Sequence, residues 1–547
     1  MSQDSSHDSA SDSDGRISRR SALGLFGVTA AGAAAGPLFN AAPAGATSSR
    51  PSAVLPEALQ GLRSGSSTTP VQGLHLTFGG DPTGQMVVSW ITDAAVHRPR
   101  VVYGTLGGGF GRQVDAQTRT YADGASGRTV WAHHALLQKL SPDTDYLYAA
   151  QHDGATPDAG TFHTAARGRF PFTFTSFGDQ SVPQVTWDAA GAPLLNANTT
   201  AAAGDVVVGI EKVAPLFHLL NGDLCYANLD VDRVRTWNEF LSNNSRSARF
   251  RPWMPAAGNH EIESGNGALG FSAYQTYFEL PSTENEPEFA GLWYAFTVGS
   301  VRVIALQNDD NCLQDGGDNY VSGYSGGRQL AWLKQQLAAA RSSNEVDWIV
   351  VAMHQVMISS SDANGADLGL RQKYGPLFDK YSVDLVLCGH EHDYERSLAV
   401  RGVVAGSEAL TPKPSSQTTD IIDSAHGTVH MVLGGGGVSG TTNQAFFTDD
   451  FDGDGHFHGK VIVDVADSRT TPTGRRAATY VNEAAIWSAV RDVEHPYGFA
   501  EFAVDPGRFP GDITRLLVTY YNVNKPRGEL SVFEQFTLQR RRSDGRR

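Results

Sequence analysis

Apolar and polar positions alternate from Val71 onward, and the alternation predicts short strands. Leu74-His75-Leu76-Thr77-Phe78 is the first, Asp81-Pro82-Thr83-Gly84 is a turn, and Gln85 to Ile91 is the second. Val101-Val102-Tyr103-Gly104, Val130 to Leu137 and Asp145 to Gln151 continue the series. Short strands separated by turn signals predict a β-sandwich that ends near Arg167. His133 and His134 fall inside one of its strands and are read as structural.

After Arg167 the apolar runs become continuous and helical patterns appear between some of them. Strands are expected at Phe170 to Phe177, Leu216 to Asn221, Trp253 to Ala257, Val301 to Gln307, Trp348 to Met353, Val383 to Leu387 and Val429 to Leu433. The clearest helix is Gly327 to Arg341, where Leu330, Leu333 and Leu337 recur at helical spacing. Apolar strands alternating with helices predict a layered α/β body, residues 168–538, with its chemistry in the loops at the carboxyl ends of the strands.

The chain ahead of Val71 follows neither period. A Ser/Asp-rich start gives way to Arg16-Ile17-Ser18-Arg19-Arg20, a mild apolar run from Leu23 to about Pro37, and Ala44-Gly45-Ala46. Paired arginines before a short apolar segment and an A-x-A site read as a twin-arginine export signal over residues 1–46. The run is too short and too Gly-rich to span a membrane stably. Residues 47–70 read as a Ser/Pro/Gly-rich linker. Such export carries folded proteins, which suits an enzyme that acquires metal before leaving the cytoplasm for the envelope or the exterior.

At 547 residues the chain exceeds one core, in keeping with two domains. A net charge of −15 leaves no basic footprint for nucleic acid. Any site that handles phosphate must therefore take positive charge from something local, such as bound metal. Cys225, Cys312 and Cys388 are too few for a disulfide framework and read as buried small hydrophobes, with one disulfide as the alternative.

Polar residues of one chemical kind stand just after the predicted strands. Phe177 leads to Asp179, Leu220 to Asp223 and Tyr226, Ala257 to Asn259, His260 and Glu261, Ala352 to His354, and Leu387 to His390 and His392. Carboxylates, a phenol, an amide oxygen and imidazoles are donors enough for two metals, and a carboxylate can bridge. Hard oxygens mixed with imidazole suit iron, manganese or zinc. Two such ions clamp the attacking and leaving oxygens of a displacement at phosphorus.

The ordered blocks Asp179, Gly222-Asp223-x-x-Tyr226, Gly258-Asn259-His260-Glu261, His354 and Gly389-His390-x-His392 resemble the signature of the metallophosphoesterases, the calcineurin-like superfamily. The tyrosine of Gly-Asp-x-x-Tyr and the stretch Gly389 to Ser397 resemble the purple acid phosphatase branch. Leu140-Ser141-Pro142-Asp143-Thr144-Asp145-Tyr146 resembles the corner of fibronectin type III modules, like the N-terminal domain of that branch's larger members. The resemblance implies a fibronectin III-like sandwich followed by an αββα metallophosphoesterase sandwich. It implies that Asp179, Tyr226 and His392 hold a first metal, ferric iron, and that Asn259, His354 and His390 hold a second, iron, zinc or manganese. Asp223 would bridge them, a hydroxide at the ions would attack phosphorus, and His260 would contact the phosphate and help protonate the leaving oxygen. Glu261 would orient a ligand or His260.

The chain departs from that pattern in places. Asp179-Gln180-Ser181 stands where Asp-x-Gly is usual, which predicts a differently shaped loop. Plant-type members carry substrate-facing histidines after His354, whereas Gln355 to Asp362 contains none. Hydrolysis of a small phosphate monoester is the leading expectation; loss of cationic groups favours a small diester, such as a glycerophosphodiester or phospholipid head group, as the alternative. A non-catalytic binding protein is a third reading, which the intact donor set opposes. Insertions 180–213, 401–427 and 438–496 are long enough for lids or specificity elements. Asp450-Phe451-Asp452-Gly453-Asp454-Gly455 resembles the start of a calcium loop but has Val461 at the twelfth position, so a polar turn is the default and a structural calcium the alternative. His456 and His458 read as loop residues, and residues 539–547 as a solvated, disordered tail.

Overall fold

The computed structural model describes residues 68–183, 201–438, 440, 442–447, 456–469, 476–524 and 528–545, with two short strands at Thr186–Trp187 and Pro193–Leu194. The export signal, most of the linker and the Asp450–Gly455 calcium-like segment lie outside the described residues. Among those described, no helix is long and apolar enough to cross a membrane.

The alternating segment folds as two four-stranded sheets. One orders Gln72–Phe78, Met86–Thr92, Thr129–Leu137 and Gln117–Ala122; the other orders Arg112–Asp115, Arg100–Thr105, Asp145–Gln151 and Asp158–His163. The predicted corner closes as a tyrosine corner, with Ser141 N donating to Tyr146 Oη at 2.8 Å. Met86–Thr92 is buried along its whole length. One face meets the opposite sheet, and the helix Arg233–Ala248 of the following body lies against this sheet, where Ser245 Oγ donates to the Leu74 carbonyl at 2.7 Å. Burial along its whole length is why Met86–Thr92 reads as an apolar run rather than an alternation. His133 bonds Thr92 and Thr118, and His134 bonds Ser89 and the Thr276 carbonyl, so both are structural histidines and His134 also ties sandwich to body.

The body contains two seven-stranded sheets. In the first, Trp253–Ala256, Phe217–Asn221 and Phe172–Phe177 run parallel, and Gly498–Asp505, Ile513–Asn524 and Glu529–Arg541 continue it antiparallel. In the second, Val301–Ala305, Trp348–Ala352, Leu385–Cys388 and Val429–Leu433 run parallel. Helices Ala202–Val213 and Arg233–Ala248 associate with each other, the first of them over the first sheet, and Arg328–Ser342 and Leu368–Tyr381 associate on the side of the second. This is the expected αββα order. A single apolar core runs through sandwich and body, with Phe174 stacked on Phe217 and on Phe502 in the first sheet.

The C-terminal expectation is overturned. The last strand runs to Arg541, past the expected domain end at 538, and residues 543–545 form a 3₁₀ turn. Arg540 pairs with buried Asp384, and Ser543 N and Oγ donate to Asp347 Oδ1 at 2.7 and 2.9 Å. Burial opposes ionisation of Asp384, but Arg540 and Arg341 outweigh it and hold the carboxyl below its usual range. Charges that look solvating in a tail are here partners for buried acids. The described parts of insertions 401–427 and 438–496 contribute strands: Ile421–Asp423 pairs with the last strand, and the hairpin His458–Arg469/Arg476–Ala484 pairs with Ala366–Asp367. His458 thus opens a strand, whereas His456 precedes it in a loop. The three cysteines are buried and free.

Candidate metal centre

Five of the parallel strands, three in the first sheet and two in the second, each hand over to a loop that carries a donor. Asp179 follows Phe172–Phe177, Asp223 and Tyr226 follow Phe217–Asn221, Asn259 follows Trp253–Ala256, His354 follows Trp348–Ala352, and His390 and His392 follow Leu385–Cys388. Four of these residues are themselves in the left-handed region: Asp179 at φ 60°, Asp223 at 50°, Tyr226 at 59° and His390 at 73°. Each costs of order 1–3 kcal/mol, and such strain gathers at functional sites. The glycine before Asp223 is sterically required: Gly222 has φ 81°, and a Cβ there would lie 2.6 Å from the His354 ring. Gly389 leaves the room that Asp179 Oδ2 occupies.

The donors form two groups. In the first, Tyr226 Oη lies 3.2 Å from Asp179 Oδ1 and 3.1 Å from His392 Nε2, and His392 Nε2 lies 3.5 Å from Asp179 Oδ1. In the second, Asn259 Oδ1 lies 2.9 Å from His354 Nε2 and 3.0 Å from His390 Nδ1, and the two ring nitrogens are 3.2 Å apart. Asp223 Oδ2 sits 3.1 Å from His354 Nε2, and its charge also acts on Asp179, Tyr226 and His392. All seven predicted ligands therefore come together.

The residues fit metal. His354 Nδ1 faces the Asn221 carbonyl at 2.8 Å and so carries its proton, and His390 Nε2 faces Gln314 Oε1 at 3.3 Å and does the same. The nitrogens left over, His354 Nε2 and His390 Nδ1, face Asn259 Oδ1 and are the ones that can take a cation, whether a proton or a metal. Acceptors at this spacing repel unless a cation lies among them. In the first group burial drives the Asp179 carboxyl and the Tyr226 phenol well above their ordinary ranges. Among the described residues, the ion pairs of Asp179 and Asp223 are with histidines alone. Burial lowers the basicity of His354, yet Asp223 beside it wins and pushes the imidazole up to about 10, the response of a site short of positive charge.

His260 stands at the edge of this centre. Its ring lies 4.5 Å from that of Tyr226, its Nε2 is 4.0 Å from Asp223 Oδ2, and its side chain keeps 15% exposure. Its Nδ1 meets Asn228 Oδ1 at 2.8 Å. Glu261 orients the ligand loops: its carboxylate accepts from Asp223 N at 2.9 Å, Gly258 N at 2.7 Å and Leu224 N at 2.8 Å. Ser181 takes φ 65°, the conformation that glycine adopts freely, and Gln180 is buried against Asn244.

The segment after His354 has other work. Ser359 and Ser360 hold Glu395, while Ser361 Oγ and the Asn364 and Gly365 amides hold Glu391. Three residues near the donors escaped the sequence reading. Asn228 lies two places past Tyr226 and could have been picked out by that spacing. Gln314, in a loop, and Phe446, in a short 3₁₀ turn with its ring 6.1 Å from that of His392, have no local signal.

Comparison with known proteins agrees with this fold. A family model of the purple acid phosphatase N-terminal domain matches residues 71–164, and a model of calcineurin-like phosphoesterases matches residues 199–394. An uncharacterized protein of Mycobacterium tuberculosis is 53% identical over 88% of this chain and 89% of its own. The Fe(3+)-Zn(2+) purple acid phosphatase 12 of Arabidopsis thaliana is 27% identical over 61% of this chain and 66% of its own. The structure of a purple acid phosphatase from yellow lupin (Lupinus luteus) seeds shares the fold, with TM-score 0.61 at 20% identity over 86% of this chain and 75% of that one. The chain belongs to the calcineurin-like metallophosphoesterases, on their purple acid phosphatase branch, and is a metal-dependent phosphoric ester hydrolase.

Proposed function

We propose that this protein is an exported phosphatase that uses two metal ions to release phosphate from small monoesters. The observation that carries the reading is the pair of ligand clusters, Asp179/Tyr226/His392 and Asn259/His354/His390, with Asp223 between them. The first group holds the more highly charged ion, ferric iron, because its carboxylate and phenolate are hard anions. The second, with neutral donors, suits divalent iron, zinc or manganese. When bound, the two ions supply positive charge to the phosphoryl oxygens and lower the pKa of water.

The chain's own groups do the rest. Asp223, fixed by Glu261 through its backbone, sets the spacing of the two groups. His354 is fully buried, while His392 and His260 keep 26% and 15% side-chain exposure, so the ester enters from their side. His260 Nε2 faces that opening and gives a proton to the leaving oxygen. Export rests on Arg19-Arg20 and the apolar run that follows; retention of an R19K/R20K chain in the cytoplasm would support it.

One observation favours a diester instead. The residues after His354 are occupied with Glu391 and Glu395 and offer no cation to a second phosphate charge. The test is kcat/KM for a phenyl phosphate monoester and the matching diester on one preparation with measured metal content. A monoester preference of tenfold or more is expected. A preference of that size for the diester overturns the phosphatase assignment.

A further inference from the structure

We propose that Asn228 is a positioning residue that fixes the tautomer and ring direction of His260, and that its amide is locked from behind by Asp318, Arg233 and the sandwich residue Asp123. The inference rests on the role assigned above to His260.

Asn228 Oδ1 lies 2.8 Å from His260 Nδ1, and Asn228 Nδ2 donates to Asp318 Oδ1 at 3.4 Å. A carboxylate can only accept, so the NH₂ end of the amide must face Asp318 and the oxygen must face His260. Nδ1 of His260 therefore carries a proton in either charge state. The nitrogen that exchanges a proton is Nε2, on the side of Asp223 and Tyr226. Were the amide reversed, Nδ1 would be the lone pair and neutral His260 would present N–H to the centre, unable to take up the proton it must pass on.

Asp318 is held in turn. Arg233 donates to Asp318 Oδ2 at 2.7 Å and to the Ser264 carbonyl at 2.7 Å, and Ser264 N donates to the same carboxylate oxygen at 3.2 Å. Arg233 has 8% side-chain exposure and lies 3.8 Å from Asp123 Oδ1, on the sandwich. Beside it Gly124 N donates to Asn266 Oδ1 at 2.9 Å. The sandwich thus buttresses the arginine that holds the acid that orients the amide. Two half-buried polar residues, Asn228 and Asp318, gain a defined geometry that neither would keep alone.

The experiment reads kcat and KM for an alkyl phosphate and for a dinitrophenyl phosphate, on preparations whose two metals per chain are confirmed. Four variants are compared: N228L, the exchange N228D/D318N, H260A, and H260A/N228L. A proton donor matters for a poor leaving group and hardly at all for a good one. N228L should lower kcat on the alkyl ester about tenfold or more, leave KM within about twofold, and barely touch the dinitrophenyl ester. The exchange variant keeps an acceptor at His260 and a donor behind it, and should stay within about fivefold of the parent. In the H260A background N228L should cost nothing further. An equal N228L loss with and without His260 makes Asn228 merely structural and overturns the proposal. If H260A itself leaves the alkyl ester unaffected, the role of His260 fails first and the inference falls with it.

Discussion

The two donor groups hold metals in opposite ways. Asp179, Tyr226 and His392 offer two acids, and His392 is 26% exposed. Asn259, His354 and His390 offer only neutral donors, all buried. In the second group each imidazole is locked by its far nitrogen, on the Asn221 carbonyl and on Gln314 Oε1. In the first, the acids must lose protons that burial makes hard to lose. The first group must be deprotonated to bind, whereas the second is preorganised and brings no acid of its own. The chemistry follows from the difference: the first group anchors an ion by charge, and the second holds a more exchangeable ion by geometry.

The sharpest way to break this comparison is Asp223→Asn, since Asp223 is the charge common to both groups. Both metals should be lost, and kcat/KM should fall on the order of 10³-fold, the several kcal/mol that metal charge supplies. A D223N protein with two metals and ordinary activity would falsify the bridging role. Next come Asn259→Ala and Tyr226→Phe, compared by elemental analysis. The first should retain one metal per chain and the second should lose the ion of the anionic group. Loss of both in N259A would show that the groups are not separable. Gln314→Leu should have a smaller effect, weakening only the second metal by about 10–100-fold while the first titrates as before.

Much of the site was legible because each donor directly follows an apolar run, and a parallel strand that ends in a tight turn leaves its next polar side chain at the sheet edge. Asp179, Asp223, Asn259, His354 and His390 are all of this kind. The same reading found Glu261, whose carboxylate satisfies loop amides that have no strand partner. It could not find Gln314, because nothing about a glutamine in a Gly/Asp-rich loop says which histidine it will meet. Nor could it show that the ligands themselves carry the backbone strain, since the glycines beside them drew the eye as the turning residues. The tail misled for a related reason. Arg540 and Ser543 look solvated until they are seen to join Arg341 and Arg169 around Asp384 and Asp347, acids far away in sequence. Local pattern reports period and exposure; it does not report who is waiting across the fold.

The smallest predicted effect separates an acid that serves the centre from one that serves the frame. Glu261 and Glu263 are both buried two residues apart, but Glu261 holds the ligand loops while Glu263 accepts from Trp237 Nε1 at 2.8 Å and from Asn266. Burial raises the Glu263 carboxyl to about 7, against the opposing pull of Trp237 and Arg233. Its folded value thus lies above the ordinary 4.5, and the folded protein binds this proton more tightly than the unfolded chain does. The stabilisation is complete below about pH 4.5 and is lost as pH rises through about 7. Glu263→Gln acts as a permanently protonated copy, so it should remove up to about 3 kcal/mol of this pH dependence. For a chain of this size that is a Tm difference on the order of 3 °C. Thermal unfolding of parent and E263Q at pH 5 and pH 8, with metals held constant, measures it. The parent should lose more on going to pH 8 than the variant, and kcat/KM should be unchanged. Parallel shifts would place the titrating frame acid elsewhere, and a loss of metal in E263Q would move Glu263 from the frame to the centre.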